Sequence, residues 1–407
     1  MTLWTRTASV LAVAALALPP SRARADEETT RALGTIKSVS KEGKGNDAAG
    51  LAWKALVGKG GPALMPTLEA MDDANPTASN WLRSAVDAIA QVEKDAKRPL
   101  PADKLEALAK DTKFAPSARR IAYELLVAQV PDAKPKLLAG FLNDVSPDLR
   151  RDAIAAELDK KPGKEQLEKL FAAARDPDQV ELIAKKLETD FKAIPSVIEH
   201  YGFITHWSII GPFDSTGGKG FATPYPPEAA TGATGAYKGK GDADVTWKPV
   251  VAGVGREPMS AGKVYAMVDL NKELGKSKDS VAYMFAVVVA DKETPCELRA
   301  GSQNAVQFFL NGKKVFEREE YHAGTTMDQH AAKGTLKAGP NVIVVKVCQN
   351  NQPQDWAQVW GAQLRVCDLT GGPIPGLTQL VGDKKDSIKL GFVPPGLADA
   401  PAKEDKK

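Results

Sequence analysis

The chain has 407 residues, 43% of them hydrophobic and 26% charged, with a formal net charge of +3. This balance excludes wholesale disorder, and the length leaves room for two domains with cores of their own. A charge so mild, with lysines spread along the chain rather than gathered in a stripe, argues against nucleic-acid binding.

Residues 1–25 read as a cleaved secretory signal peptide. Arg6 supplies the positive start, residues 10–18 the apolar run, Pro19-Pro20 the break, and Ala23-Arg24-Ala25 the small-x-small cleavage pattern before Asp26. The apolar run is less than half of the roughly 20 residues that a membrane-spanning helix needs. No Cys follows it for lipid attachment, and no later stretch is apolar enough to span. The expected location is exported, periplasmic or extracellular, with no transmembrane segment.

Residues 26–198 carry helical periodicity broken by Pro, Gly and Asp. Asp47-Ala48-Ala49 opens one helix, with Leu51, Leu56 and Val57 on its apolar face. Gly60-Gly61-Pro62 restarts the chain. Asn75-Pro76, Pro116-Ser117 and Ser146-Pro147 begin further helices, the second carrying Ile121, Leu125 and Leu126 and the third Leu149, Ile154 and Leu158. Proline is tolerated in a first helical turn because its missing N–H has no partner there anyway. Helices this short must bury their apolar faces against neighbours, as in a solenoid. Trp53 and Trp81, spaced among leucines, are expected in the core. The stretches 52–68 and 139–158, the latter with Asp144-Val145-Ser146-Pro147-Asp148-Leu149-Arg150-Arg151-Asp152-Ala153, resemble HEAT repeats. The resemblance implies a surface that docks a partner protein.

From about residue 200 the pattern changes to strands, expected at 204–210, 264–270, 281–289, 296–300, 306–310, 342–347 and 361–367. Asn311-Gly312, between Phe308-Phe309-Leu310 and Lys313-Lys314-Val315-Phe316, is a strong hairpin signal, since both turn residues tolerate positive φ. Residues 282–290 are nearly all apolar, which predicts a strand covered on both faces. Many short strands without helices between them imply an antiparallel sandwich or barrel. Residues 375–407, rich in Ala, Pro, Lys and Asp, read as a largely disordered tail.

Cys296, Cys348 and Cys367 are the only cysteines. In an oxidising compartment they allow one bridge with one thiol left over. A Cys348–Cys367 bond fits poorly, because consecutive antiparallel strands would place the two at opposite ends of the pairing. Buried structural thiols are expected.

Trp207-Ser208-Ile209-Ile210-Gly211-Pro212-Phe213, Leu298-Arg299-Ala300-Gly301-Ser302, Phe309-Leu310-Asn311-Gly312-Lys313 and Leu336-Lys337-Ala338-Gly339-Pro340-Asn341 together resemble galactose-binding-like jelly-roll domains. The resemblance covers about residues 203–368. It implies a jelly roll of a type found in exported bacterial proteins, often ones concerned with carbohydrate. Where relatives carry paired aspartates after Gly-Ser, this chain has Gln303-Asn304, and two amides do not supply the charge for Ca²⁺. Phe309 replaces a common Trp, so it stacks without donating a hydrogen bond.

Catalysis finds little support. Four histidines and no Gly-x-Ser-x-Gly motif leave no hydrolase triad. Gly217-Gly218-Lys219-Gly220 lacks the Walker arrangement, with Asp214 and Gly220 where Gly and Ser/Thr are required. His322, Asp328 and His330 lack metal-ligand spacing. Asp214, Glu228, Asp328 and Asp355 are the acids in candidate loops.

The stretch 350–360 is amide-rich with two tryptophans. Asn351, Asp355, Trp356 and Trp360, joined by Gln303 and Asn304, are the candidate ligand-binding residues. Sugar rings stack on aromatic faces while amides and carboxylates bond hydroxyls. The other reading of Trp356 or Trp360 is a plug in the end of the core.

The sequence thus predicts a multidomain α and β protein: a HEAT-like α-helical solenoid at 26–198, then an antiparallel jelly-roll β-sandwich at 199–374. The expected function is non-catalytic binding, of carbohydrate or a cell-surface polymer by the sandwich and of a protein partner by the helices, with no catalytic residue, metal or cofactor. A structural scaffold without a small ligand is the alternative, and a polysaccharide hydrolase or lyase the third.

Overall fold

The computed structural model describes residues 20–252, 265–381 and 386–390, side chains of 20–26 and 386–389 aside. The start of the expected signal peptide lies outside these residues, and Ala23-Arg24-Ala25 falls within the first helix. The chain divides into two compact units between Arg150 and Arg151, not at residue 198 where the sequence changes from helical to strand pattern.

The first unit holds α1 (Pro20–Lys37), α2 (Asn46–Lys59), α3 (Gly61–Glu69), α4 (Pro76–Asp95), α5 (Ala102–Lys110), α6 (Pro116–Gln129) and α7 (Ala133–Leu138); α8 (Pro147–Leu158) crosses the division. Helix starts follow the local chemistry. Asn75 caps α4, its Oδ1 accepting from the N–H groups of Thr77 and Ala78 at 3.0 Å each, with Pro76 in the first turn. The core face of α4 is Leu82, Ala85, Val86 and Ile89, all fully buried. One expectation fails: Leu51 is 70% exposed, because α2 turns Ala49, Ala52 and Leu56 inward instead. Trp53 and Trp81 are half-buried.

Buried polar side chains in this unit are committed to internal partners, Arg119 and Glu93 among them. Arg119 on α6 is fully buried and pairs with both oxygens of Asp144, at 2.7 and 2.5 Å, while its Nε donates to the Ala109 carbonyl. Glu93 on α4 accepts from the Gly61 N–H at the start of α3, 2.7 Å, and from Arg98 at 2.6 and 2.9 Å.

The second unit contains α9 (Lys164–Ala173), α10 (Pro177–Phe191), α11 (Val197–Tyr201) and α12 (Leu270–Leu274). Its strands are β1 (His206–Asp214), β2 (Ala236–Lys238), β3 (Asp244–Thr246), β4 (Lys248–Val251), β5 (Val268–Asp269), β6 (Ser280–Ala290), β7 (Thr294–Gly301), β8 (Ala305–Leu310), β9 (Lys313–Arg318), β10 (His330–Leu336), β11 (Gly339–Gln349), β12 (Gly361–Cys367), β13 (Thr378–Val381) and β14 (Asp386–Lys389). The larger sheet runs β14-β13-β6-β11-β8-β9, with β1 on β6 and β4 on β1; the smaller runs β10-β7-β12-β5; β2 and β3 form a separate pair. All named pairings are antiparallel. Of the strand expected at 264–270, residue 264 lies outside the described residues; among the rest Val268–Asp269 pairs, and the chain then turns helical.

The Asn311-Gly312 turn joins β8 to β9 with φ of 52° and 77°, as expected for a hairpin of that sequence. Strand β6 is buried on both faces. Ala282, Met284 and Val288 lie on one side. On the other, Tyr283 and Phe285 join Phe213, Phe221, Val245 and Phe309 in a second apolar cluster, onto which Trp247 packs. Lys346 of β11, 1% exposed, fixes this cover: its Nζ donates to the Phe221 and Thr223 carbonyls and to Glu228, at 3.0, 2.7 and 2.9 Å.

The sheet continues past residue 374, so the expected tail begins too early. Strand β13 pairs with β6 through Thr378 and Gln379 and with β14 along its length. The cause is burial that composition does not reveal. Gln379 is fully buried and acts like a peptide group: its Oε1 accepts from the N–H groups of Thr205 and His206, at 3.2 and 3.3 Å, and its Nε2 donates to the His206 carbonyl. Residues 391–407 lie outside the described residues.

Candidate ligand-binding loop

The connection from β11 to β12, residues 350–360, is held from beneath by buried and half-buried side chains, one of which, Asn304, the sequence offers as a ligand contact. Asn304 is 1% exposed. Its Nδ2 donates to Gln349 Oε1 and to the Val359 carbonyl, at 3.3 and 3.1 Å, and its Oδ1 accepts from the Gly361 N–H at 3.1 Å. Gln349 Nε2 in turn donates to the carbonyls of Ala357 and Val359 at 3.2 and 3.1 Å. Lys278 and Asn271 bind the carbonyls of Ala357 and Gln358, both at 2.7 Å. Three successive carbonyls of the loop are thereby anchored, which pre-pays the ordering a ligand would otherwise have to impose.

Two of the expected site residues are therefore corrected. Asn304 spends its amide inside the protein. Trp360 is fully buried, its Nε1 donating to the Val347 carbonyl at 3.2 Å, so it plugs the core and has no face for a ligand.

Trp356 is the opposite case. It sits in a single 3₁₀ turn, Asp355–Ala357, and is 59% exposed. The His322 ring stands edge-on beside it, with centroids 5.2 Å apart and planes at 86°. His322 has a φ of 61°; its N–H meets the Gln303 carbonyl at 2.5 Å and its Nε2 lies 3.0 Å from Asn350 Oδ1. Asn350 donates through Nδ2 to Gln352 Oε1 and accepts at Oδ1 from the Gln352 N–H, which fixes its amide orientation and makes His322 Nε2 the donor. His322 Nδ1 is buried with no partner among the described residues.

Asn351 and Asp355 are exposed, and their side chains make no hydrogen bond among the described residues. Gln303 is half-buried and meets the site through its carbonyl. The structure thus gathers Trp356, Asp355 and Asn351 on one loop, with Gln303 behind His322. Sequence reasoning missed His322, Asn350 and Gln352 as supports; the amide-rich composition signalled the last two, whereas nothing local signals that residue 322 reaches residue 356.

The remaining candidate acids are dispersed. Glu228 is bound by Lys346 and by the Tyr283 hydroxyl at 2.7 Å. Asp328 is clasped by Arg365 at 2.7 and 2.6 Å and by Arg299 at 3.0 Å. Asp214 accepts from the Thr216 hydroxyl at 2.7 Å. Among the described residues no group of three or more His, Cys, Asp or Glu side chains is placed to hold a metal, and no helix is long and apolar enough to cross a membrane. Cys296, Cys348 and Cys367 are buried and unbridged, their thiols pushed up to about 11, 12 and 11, chiefly by burial.

No family model matches the chain, and no curated protein matches it. Among solved structures, it is similar to a β-glucosidase from Kluyveromyces marxianus in complex with glucose, at 16% identity and TM-score 0.20, covering 25% of this chain. It is also similar to a PA14 sugar-binding domain from an RTX adhesin, at 17% identity and TM-score 0.17 over 27% of this chain. A third similarity is to a β-glucuronidase of an uncultured Clostridium sp., at 11% identity and TM-score 0.23 over 41%. The chain spans 13%, 51% and 29% of those structures' own lengths. Likeness at this level carries no argument about the fold or activity of this chain.

Proposed function

We propose that this is an exported, non-catalytic binding protein. Its second unit is a jelly-roll sandwich that takes carbohydrate or a cell-surface polymer on the loop bearing Trp356, and its helices form a HEAT-like array that docks a protein partner. One observation carries the reading: an exposed indole, edge-braced by His322, on a loop whose carbonyls are anchored from below. Such a face suits the C–H side of a sugar ring, with Asp355 and Asn351 free to bond its hydroxyls. Export rests on the grammar of residues 1–25.

The test is retention of the full-length mature chain on a glycan array and on insoluble polysaccharides, with and without Ca²⁺, beside Trp356→Ala. Calcium-independent retention that falls about tenfold or more in the variant supports the reading. Retention indifferent to Trp356 moves the site elsewhere. Clean absence across a broad panel favours a second reading, a structural scaffold. That reading draws on Asn304, Trp360, Glu228 and Asp328, each of which is committed to internal contacts.

A further inference from the structure

Helices α4 and α6 of the first unit leave a groove of about 560 Å³ between them. Asp87, Ala90, Gln91 and Lys94 line it from α4 at i, i+3, i+4 and i+7, the stripe beside the one that faces the core. Leu125, Ala128 and Gln129 line it from α6 with the same i, i+3, i+4 spacing. Leu100 closes one end, and Gln129 fixes it by accepting from its N–H at 2.7 Å and donating to its carbonyl at 3.1 Å. Ala90, Leu100 and Leu125 are half-buried and Ala128 is exposed. The groove therefore has an apolar floor between two helical walls, each with an alanine that lets a third element approach closely.

Its charge is uneven. Lys94 and Lys97 stand at one end with no ion-pair partner among the described residues, while Arg98 beside them is taken by Glu93. Asp87 is about two turns back along α4. An occupant that matches this groove needs an apolar stripe at helical spacing, with carboxylates at the Lys94 and Lys97 end.

We propose that the groove receives an acidic amphipathic helix of a partner protein, its apolar face on Ala90, Leu125 and Ala128 and its carboxylates beside Lys94 and Lys97. The proposal rests on the docking role inferred for the helices and assigns that role a place and a partner chemistry.

The experiment titrates the full-length mature chain into a fluorescein-labelled synthetic peptide of about 16 residues, roughly four helical turns. The peptide has Leu at i, i+3, i+4 and i+7 and Glu on the flanks; one control replaces Glu by Lys and another scrambles the leucine spacing. The expected result is anisotropy binding at least about tenfold tighter than either control, weakened by added salt. Lys94→Glu with Lys97→Glu, both exposed positions, lowers the affinity about tenfold, and Ala128→Trp, which fills the groove, abolishes binding. Unchanged thermal transitions confirm that both variants fold. Equal binding of the three peptides, or indifference to the lysine reversals, overturns the proposal. In-cell cross-linking from residues 27–150 separates this from the broader docking role: a partner cross-linked on another face sinks the groove and keeps the role. Absence of any cross-linked partner, together with no peptide binding, removes both.

Discussion

Two layers at the end of the second unit are built from the same residue types and put to opposite uses. In the lower layer Asn304, Gln349 and Trp360 are buried, and their polar atoms are spent on loop carbonyls, on the Val347 carbonyl of β11 and on the Gly361 N–H. In the upper layer Trp356, Asn351 and Asp355 are exposed, and their side chains make no hydrogen bond among the described residues. The difference teaches that residue type does not mark a binding site here. A buried amide lowers the free energy of the fold because it replaces backbone partners that burial would otherwise leave unsatisfied. An exposed amide on an anchored loop leaves its bonding capacity for something else.

The sharpest break between the layers is Trp360→Ala, expected to cost about 3–5 kcal/mol, since it empties a fully buried indole volume and removes the bond to the Val347 carbonyl. Chemical denaturation of the sheet-bearing unit measures it. A loss below about 1 kcal/mol would show that the lower layer is not closed.

Gln379→Ala extends the comparison to a distant closed amide. It leaves the N–H groups of Thr205 and His206 and the His206 carbonyl without their partner, for an expected loss of about 1–3 kcal/mol. Gln379→Glu keeps the acceptor but loses the donor to the carbonyl, so it should fall short of wild type as well. If both variants melt with wild type, the chain beyond residue 374 contributes no more than the tail that its composition suggests.

Glu93 is the closed polar group of the helical unit. Hydrogen bonds from Arg98 and from the Gly61 N–H hold its carboxyl down to about 2, against an ordinary value of 4.5. A depressed acid stabilises the fold above its unfolded value, and that contribution fades as pH falls from about 4.5 toward 2. The thermal midpoint of wild type should therefore drop over that window more steeply than that of Glu93→Gln. Parallel curves would mean that the Arg98 pair contributes nothing measurable.

How much was legible follows from range. The Asn311-Gly312 hairpin, the doubly covered β6 and the Pro-initiated helices were readable because turn chemistry, apolar runs and helix caps act within a few residues. Strand β10 was not, because His330-Ala331-Ala332-Lys333-Gly334-Thr335-Leu336 has little strand propensity and is fixed by pairing with β7 along its whole length. Trp356 and Trp360 could not be told apart because their fates depend on Val347 and His322, residues far along the chain whose proximity no local pattern encodes. The same holds for Asn304, whose partners lie at 349, 359 and 361.

The smallest stability effect is also the one on which the upper layer stands. Trp356→Ala should shift the unfolding free energy by no more than about 0.5 kcal/mol. The indole is 59% exposed, and its one aromatic neighbour among the described residues is the edge-on His322. The carbonyls that shape the loop are held by Asn304, Gln349, Lys278 and Asn271, and none of those bonds involves Trp356. A loss comparable to that of Trp360→Ala would mean that Trp356 braces His322 and the loop rather than facing a ligand. The two layers would then be one structural plug, and the carbohydrate reading would lose the observation that carries it. An unchanged unfolding curve together with lost polysaccharide retention would separate the layers as the geometry does.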